Sequence, residues 1–269
     1  MTAWHALLLG LLQGATEFLP VSSSGHLVLV PWLLGWQPPG VFFDAVLHLG
    51  TLVAVLLYFR RDLLALAGAW LRTLRRRRVE TGSERLAWLL VLATIPAALA
   101  GVLLEDWFGA MFSSPLLVSV LLLVTGVLLF FAERLGCGRR RAEEAGVADA
   151  LVVGIAQALA IAPGISRSGA TMSGGLLRGL TRPEAARFSF LLAIPVVAAA
   201  GLLSLAKTVA DSGVSEIVLA LLGAAAAAVA GLAAIHWLLR YVRAHSLYLF
   251  SYYCWLFGGA CLLLALLRA

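Results

Sequence analysis

Two short stretches of this sequence gather the side chains that do chemistry. The first runs from Gln13 and Glu17 to Ser22, Ser23, Ser24 and His26, and the second holds Ser166, Arg167, Ser168 and Thr171. Gln13 and Glu17 are four residues apart, on one face of a helix. Glu17 is a hard-oxygen ligand suited to Mg²⁺ or Ca²⁺, with Gln13 beside it, and such a cation neutralises phosphate charge. The serines of the first stretch lie within reach of His26, the pattern of an activated hydroxyl or a proton shuttle. In the second stretch Gly164, Gly169 and three hydroxyls surround Arg167 where a helix is expected to start. Helix-start amides form an anion cradle, and arginine adds a planar fork that matches phosphate oxygens. A nucleophile, an acid–base group, a carboxylate and a phosphate clamp together suggest hydrolysis of a lipid phosphate. The plainer alternative is that Glu17 and Arg167 only pair to hold the two stretches together. Asp44 and His48, also four apart, are secondary candidates, and His48 reads alternatively as a packed, satisfied histidine.

The elements that must position these residues are dictated by composition. Of 269 residues, 62% are hydrophobic and only 13% charged, against about 45–50% and 25% in soluble domains. A soluble chain could not bury that much apolar surface, and continuous rather than alternating apolar runs exclude a β-barrel. The fold expected is an all-α polytopic membrane protein. Long apolar runs near 41–59, 86–104, 115–132, 188–206, 216–239 and 247–267 are six candidate spans. Runs near 3–12, 27–36, 149–162 and 170–180 are too short to cross. They form two pairs, each joined by one of the chemical stretches, and read as re-entrant hairpins. Polar turns at membrane depth must face protein or a wet cavity, so the two turns are expected to face each other across an enclosed site.

Charge orients the chain. The net charge is +6, and Lys207 is the sole lysine among 20 basic residues. Arginines fill the segments 60–85 and 133–147 and precede the last span, which places those loops in the cytoplasm. Arg178, Arg182 and Arg187 follow the second hairpin, with Arg178 read as a solvated flank. Loops 105–114 and 207–215 carry Glu105, Asp106 and Asp211 and are placed outside. The basic residues sit between apolar spans, which argues against nucleic acid. No basic residue precedes Arg60, so no signal-peptide n-region is seen. Cys137, Cys254 and Cys261 have no metal spacing, and the last two read as small apolar fillers.

An internal repeat follows at an offset of 144: Gly10-Leu-Leu-Gln13 lies on Gly154-Ile-Ala-Gln157, and Ser22-Ser-Ser24-Gly25 on Ser166-Arg-Ser168-Gly169. The chain is therefore read as one membrane domain, residues 1–269, of two repeats, about 1–135 and about 148–269. Each half holds one re-entrant helical hairpin plus three transmembrane helices. Three is odd, so the repeat has inverted topology, with one hairpin reaching in from outside and the other from the cytoplasm.

At these residues the sequence resembles the undecaprenyl-diphosphate phosphatase family, the bacitracin-resistance proteins. Gln13-Gly-Ala-Thr-Glu17-Phe-Leu-Pro-Val-Ser-Ser-Ser-Gly-His26 is similar to the first family signature, and Pro163-Gly-Ile-Ser-Arg-Ser-Gly-Ala-Thr171 to the second. Phe43-Asp-Ala-Val-Leu-His-Leu-Gly50 and Phe188-Ser-Phe-Leu-Leu-Ala-Ile-Pro195 extend the likeness over essentially the whole chain. The resemblance implies removal of the terminal phosphate of undecaprenyl diphosphate, recycling the lipid carrier for cell-wall synthesis and conferring bacitracin resistance. It implies Ser23 as nucleophile, with a water as the open alternative, His26 as acid–base partner and Arg167 as clamp. Ser22, Ser24, Ser166, Ser168 and Thr171 would complete the phosphate site. The family's acidic pair begins with Glu or Gln; here it begins with Gln13, which leaves Glu17 as the one charged ligand for the divalent cation. The expected partners are the polyprenyl diphosphate substrate and membrane lipids, with a homodimer left open. The expected place is the bacterial inner membrane, with the site mouth on the periplasmic face.

Two rival classes share parts of this pattern. The phosphatidic-acid-phosphatase class needs a Lys followed by Arg-Pro, absent after Lys207, and a histidine where this chain has Ser173. A lipid-carrier flippase or transporter would also use an inverted repeat with broken helices.

Overall fold

The computed structural model describes residues 1–136 and 138–268; Cys137 lies outside them. Helices α1 (Ala3–Phe18) and α2 (Ser23–Leu34) form the first hairpin, followed by α3 (Val41–Tyr58), α4 (Arg60–Arg76), α5 (Gly82–Leu103), α6 (Glu105–Met111) and α7 (Pro115–Leu135). Helices α8 (Val147–Leu159) and α9 (Arg167–Leu177) form the second hairpin, followed by α10 (Arg182–Thr208), α11 (Val214–Ala244) and α12 (Tyr248–Arg268). The protein is all-α and polytopic: α3, α5, α7, α10, α11 and α12 are each long and apolar enough to cross a membrane.

Two expectations need correction. The apolar run ending near 12 understates α1, which continues to Phe18 because Gln13 and Glu17 are polar only on its buried face. The segment 60–85 is not simply a loop, since most of it is the helix α4. An Arg-rich segment scores as polar, yet Leu66 and Ala69 recur at helical spacing and are buried.

The hairpins are held by close backbone packing. Helix α1 lies along α11, where a Cβ on Gly10 would come within 2.2 Å of the Gly223 carbonyl oxygen and one on Gly14 within 2.4 Å of the Ala227 oxygen. Small residues let apolar helices approach this closely, which is how helices associate where lipid competes for every apolar face. Positions 10, 14 and 18 of α1 meet 223, 227 and 231 of α11 in order, so the two helices run parallel. Helix α8 runs along α5 in the same way, with Gly154 against Ala93 and Ile161 near Gly101. Helix α11 ends in Arg240 and Arg243, whereas α5 starts beside the Arg-rich segment, so α1 and α8 start at opposite ends of the bundle. Helix α3 packs on α10 and α11, and α7 packs on α12. Each hairpin's first helix thus leans on a span from the other half of the chain.

The Arg-rich end is laced by ion pairs. Arg187 bonds Asp62 at 2.6 Å and Glu143 at 2.8 Å, tying α4 to α10. Arg182 pairs with Glu133, which also accepts the Leu247 amide at 3.0 Å, joining α10, α7 and the start of α12. Arg178 is exposed but also engaged: its Nε donates to Asp149 Oδ1 at 2.6 Å, and Arg140 holds the other oxygen at 2.9 Å. Asp149 is buried near the start of α8, and a carboxylate there needs cations whether or not the surface does.

Candidate active site

Both hairpin turns end inside the bundle and touch. A Cβ on Gly25 would stand 3.3 Å from the Gly164 Cα. Ser168 Oγ donates to the Leu19 carbonyl at 3.0 Å, crossing from the second turn to the first. The turns are tight. Gly164 has φ +100°, a conformation natural only to glycine, and a side chain there would strike the Val118 carbonyl. Ser22 has φ +69° despite its side chain. Such a residue costs about 1–3 kcal/mol and persists only where its surroundings impose it, most often at functional sites.

Glu17 is the hub. Its Oε2 accepts the Ser23 hydroxyl at 2.5 Å and the Gln13 amide at 3.0 Å. Its Oε1 accepts Arg167 Nη2 at 2.9 Å, while Arg167 Nη1 reaches the Ser189 carbonyl at 3.4 Å. His48 Nε2 stands 3.7 Å from Glu17 Oε2, and its Nδ1 is 2.8 Å from the Asp44 carbonyl oxygen. The Glu17 and Arg167 side chains are only 6% and 13% exposed. A buried pair of this kind survives because each partner is also hydrogen-bonded. Ser23 and Arg167 open α2 and α9, so the positive end of each helix dipole lies at the cluster. The arrangement attracts an anion and offers its carboxylate as the acceptor of a hydroxyl proton.

Several expectations change. His26 is not turned to Ser23. Its Nδ1 contacts the Ser22 carbonyl at 2.7 Å, its Nε2 contacts Tyr253 Oη at 2.7 Å, and its ring lies nearly parallel to those of Tyr253 and Phe257, with centroids 5.7 and 4.9 Å away. His26 thus engages α12, while Ser23, three residues earlier, engages α1. The group placed to take the Ser23 proton is therefore Glu17, and the histidine nearest that carboxylate is His48. Most hydroxyls expected to bind phosphate are hydrogen-bonded within the turns. Ser22 Oγ accepts the Gly25 amide and Ser166 Oγ the Gly169 amide, each capping its helix. Thr171 Oγ1 donates to the Arg167 carbonyl at 2.7 Å and lies 2.7 Å from Ser189 Oγ. Ser24 Oγ is 3.3 Å from Ser22 Oγ. Buried turns satisfy much of their backbone from their own side chains. Asp44 does not join the cluster by hydrogen bond; its Oδ1 is buried without a partner.

For a divalent cation the donor chemistry is mixed. Among the described residues no group of three His, Cys, Asp or Glu side chains is placed to share an ion. Gln13 Oε1, however, is a buried acceptor with no partner, next to Glu17. An orphaned hard oxygen beside a carboxylate fits Mg²⁺ or Ca²⁺. Cys254 and Cys261 are buried in α12 as unpaired thiols, in keeping with their reading as fillers.

Three residues were given no role by the sequence. Thr125 accepts the Ser166 amide and donates to the Gly164 carbonyl at 2.9 Å, pinning the second turn. Ser189 anchors both Arg167 and Thr171. Tyr253 partners His26, and the only hint of it was a phenol at membrane depth, which needs a hydrogen-bond partner. Tyr253→Phe keeps the ring stack and removes one hydrogen bond. We expect phosphate release to fall about tenfold. The pH–rate profile should shift as well, because His26 loses the group that fixes its free nitrogen. An unmoved profile would reduce Tyr253 to packing.

The position of this chemistry sets the class. A hydroxyl held against a carboxylate, with a guanidinium fork beside it, stands among two helical hairpins and six helices long and apolar enough to cross a membrane, the setting of an integral membrane enzyme of the hydrolase type. Comparison with known proteins is more specific. Residues 6–260 match the bacitracin resistance protein BacA, and the chain belongs to that family. The undecaprenyl-diphosphatase of Rubrobacter xylanophilus is 49% identical over 267 residues, covering 98% of this chain and 97% of that one. That of Syntrophotalea carbinolica is 50% identical over 261 residues, covering 96% and 97%. That of Thermomicrobium roseum is 46% identical over 263 residues, covering 94% of each. The flippase alternative gains no support from these relatives.

Proposed function

We propose that this protein hydrolyses undecaprenyl diphosphate to undecaprenyl phosphate and inorganic phosphate at the Glu17–Ser23–Arg167 cluster. It thereby recycles the lipid carrier of cell-wall synthesis and confers bacitracin resistance. The observation that carries the site assignment is the 2.5 Å bond from Ser23 Oγ to Glu17, on a carboxylate that also holds Arg167. The attacking oxygen, from Ser23 or from a water in its place, gives its proton to Glu17. Arg167 turns its fork to the terminal phosphate, where charge grows during transfer, and the α2 and α9 helix dipoles add to that stabilisation. The bond from the terminal phosphorus to the bridging oxygen breaks, and the lipid monophosphate leaves; where water attacks, inorganic phosphate forms at once, and where Ser23 attacks, a water deprotonated by Glu17 then breaks the Ser23 Oγ–phosphorus bond, freeing inorganic phosphate and restoring the hydroxyl. His48, beside Glu17, is placed to return a proton. A divalent cation, Mg²⁺ or Ca²⁺, would be held by Glu17 and Gln13 Oε1 and would neutralise phosphate charge. Phosphate release from undecaprenyl diphosphate by pure protein in detergent, with and without a chelator, tests both parts. No release in either condition would overturn the function, and chelator-insensitive release would remove the cation.

The inverted repeat belongs to the same reading. It is supported by packing that exchange of the halves leaves unchanged: α1 on α11 matches α8 on α5, while α3 meets α10 and α7 meets α12. At the offset of 144, Ser23 lies on Arg167, but Glu17, His26 and His48 lie on Ile161, Ala170 and Leu192. In this reading the symmetric frame carries a one-sided site, with the acid and histidines in the first half and the clamp in the second.

The expected setting is the bacterial inner membrane, with the Arg-rich end in the cytoplasm and the α1 side facing the periplasm. With Cys137, Cys254 and Cys261 replaced, Gly109→Cys should react with an impermeant thiol reagent in intact cells. Gly109 is exposed, with nothing near the position a Cβ would take. Thr81 is unsuited to the opposite probe because it caps α5 in a capping box with Glu84. Ser83→Cys, at an exposed position, should stay unlabelled. The reverse pattern would invert the topology.

A further inference from the structure

Helix α4 presents three distinct faces. Leu66, Ala69 and Thr73 form the inner face, buried against α5, where Trp88 Nε1 donates to Thr73 Oγ1 at 2.8 Å and Trp70 lies 5.7 Å from Trp88. On the opposite side Leu64, Ala67, Leu71 and Leu74 follow one another at helical spacing, and the leucines are 75%, 50% and 46% exposed. Arg61, Arg72, Arg75 and Arg76 run between these two faces, all exposed. A helix with an apolar stripe left open and a basic stripe beside it lies in a membrane interface.

Its connections hold it there. Only Phe59 separates α4 from the span α3, and α5 begins six residues after Arg76, so both ends of α4 are tied to the same end of the bundle. Segment 60–78 contains seven arginines and one acidic residue, Asp62, which Arg187 already engages. Arg72 faces Glu84 and Arg76 faces Glu80, each at 3.5 Å. Among the described residues, no ion pair engages Arg61, Arg75, Arg77 or Arg78. Past the helix end, Thr73, Leu74, Arg77, Arg78, Val79 and Trp88 line a groove of about 390 Å³. It joins two uncompensated guanidinium groups to an apolar and aromatic wall.

We propose that α4 and this groove bind anionic phospholipid, with the leucine stripe in the acyl region and Arg75, Arg77 and Arg78 on the headgroup phosphates. The apolar stripe separates a lipid from a free anion, because an ion would use the arginines and leave the leucines in water. The binding lies apart from the Glu17 cluster and does not depend on the reaction performed there.

The test is thermal unfolding of the full chain in detergent, titrated with phosphatidylglycerol, phosphatidylcholine or inorganic phosphate. Phosphatidylglycerol should raise the midpoint saturably, since a ligand bound to the folded state alone stabilises it. Phosphatidylcholine and phosphate should do little. The triple variant Arg75→Gln/Arg77→Asn/Arg78→Gln should bind phosphatidylglycerol about 100-fold more weakly, at about fivefold per arginine. Asn is chosen at 77 because Arg77 has φ +53°. Arg240→Gln/Arg243→Gln, also at the Arg-rich end, should bind as the parent does. Leu64→Ser/Leu71→Ser should weaken phosphatidylglycerol binding with the arginines intact. Unchanged phosphate release in detergent shows that the variants fold, and Arg78→Gln alone, with about a fivefold loss, serves if the triple variant does not. Equal stabilisation by phosphatidylcholine, a matching shift from inorganic phosphate, or full affinity in the arginine variants would each overturn the proposal.

Discussion

Arg167→Lys is expected to give a folded, membrane-inserted protein whose kcat falls about 10²-fold or more, the scale of losing one preorganised donor. The guanidinium spans two acceptors, Glu17 Oε1 and the Ser189 carbonyl. Lysine supplies a point charge that keeps the partner of Glu17 but cannot hold two phosphate oxygens in a plane. Arg167→Ala is a different experiment. It leaves a buried carboxylate uncompensated, and breaking such a pair costs about 3–5 kcal/mol, so loss of activity there would mix folding with catalysis. The lysine variant separates them, with the thermal midpoint and phosphate release measured on one preparation. Arg75→Lys, at an exposed position on α4, is the neutral control. If Arg167→Lys keeps most of its turnover while Arg167→Ala fails to fold, the arginine is a strut for Glu17 and not a clamp.

Glu17→Gln should cost as much or more. The amide cannot accept the Ser23 proton, so the general-base contribution is lost, about 10²–10⁴ in kcat. The change preserves volume, and Gln13 and Ser23 keep an oxygen to bond, but it takes the carboxylate from the buried Arg167, so the thermal midpoint is measured beside phosphate release and kcat is compared on the folded fraction. The comparison with His26→Ala is informative because Ser23 is bonded to Glu17 and His26 to Tyr253. If Glu17 is the base, Glu17→Gln should reduce kcat further than His26→Ala. The reverse order would mean that His26 rotates to Ser23 during turnover. Near-normal phosphate release from well-folded Glu17→Gln protein would remove Glu17 from the reaction altogether.

The spans and the two hairpins were legible in the sequence because lipid punishes every polar interruption, and apolar length alone then marks a crossing. What the sequence did not show was direction around a helix axis. Ser23 and His26 are neighbours in the chain and both head α2, yet one faces α1 and the other α12, a choice made by the strained Ser22 and the aromatic rings of Tyr253 and Phe257. The partners of the hydroxyls were hidden for a related reason. Ser22, Ser166 and Thr171 have the same composition whether they bind a ligand or cap a helix, and only the partner distances separate the two. Helix α4 was hidden because its arginines lowered the local hydropathy, although its buried positions repeat as any amphipathic helix does.

The packing of each hairpin on the opposite half has a consequence for biosynthesis. Helix α1 leaves the ribosome about 200 residues before α11, its main support, a wait of roughly 10–40 s at ~5–20 residues per second. During that interval Gln13 and Glu17 have neither α11 at their back nor Arg167 to neutralise them, and hydrocarbon would reject them. The first hairpin must therefore idle at the bilayer surface, in reach of water, and be drawn inward once the later spans are in place. Nascent chains stalled before α11 should leave Gly14→Cys open to a water-borne thiol reagent; protection at that stage would show that the hairpin needs no such wait. The order of synthesis also means that Glu17 meets Arg167 only late in assembly, so an unfinished chain carries no competent site.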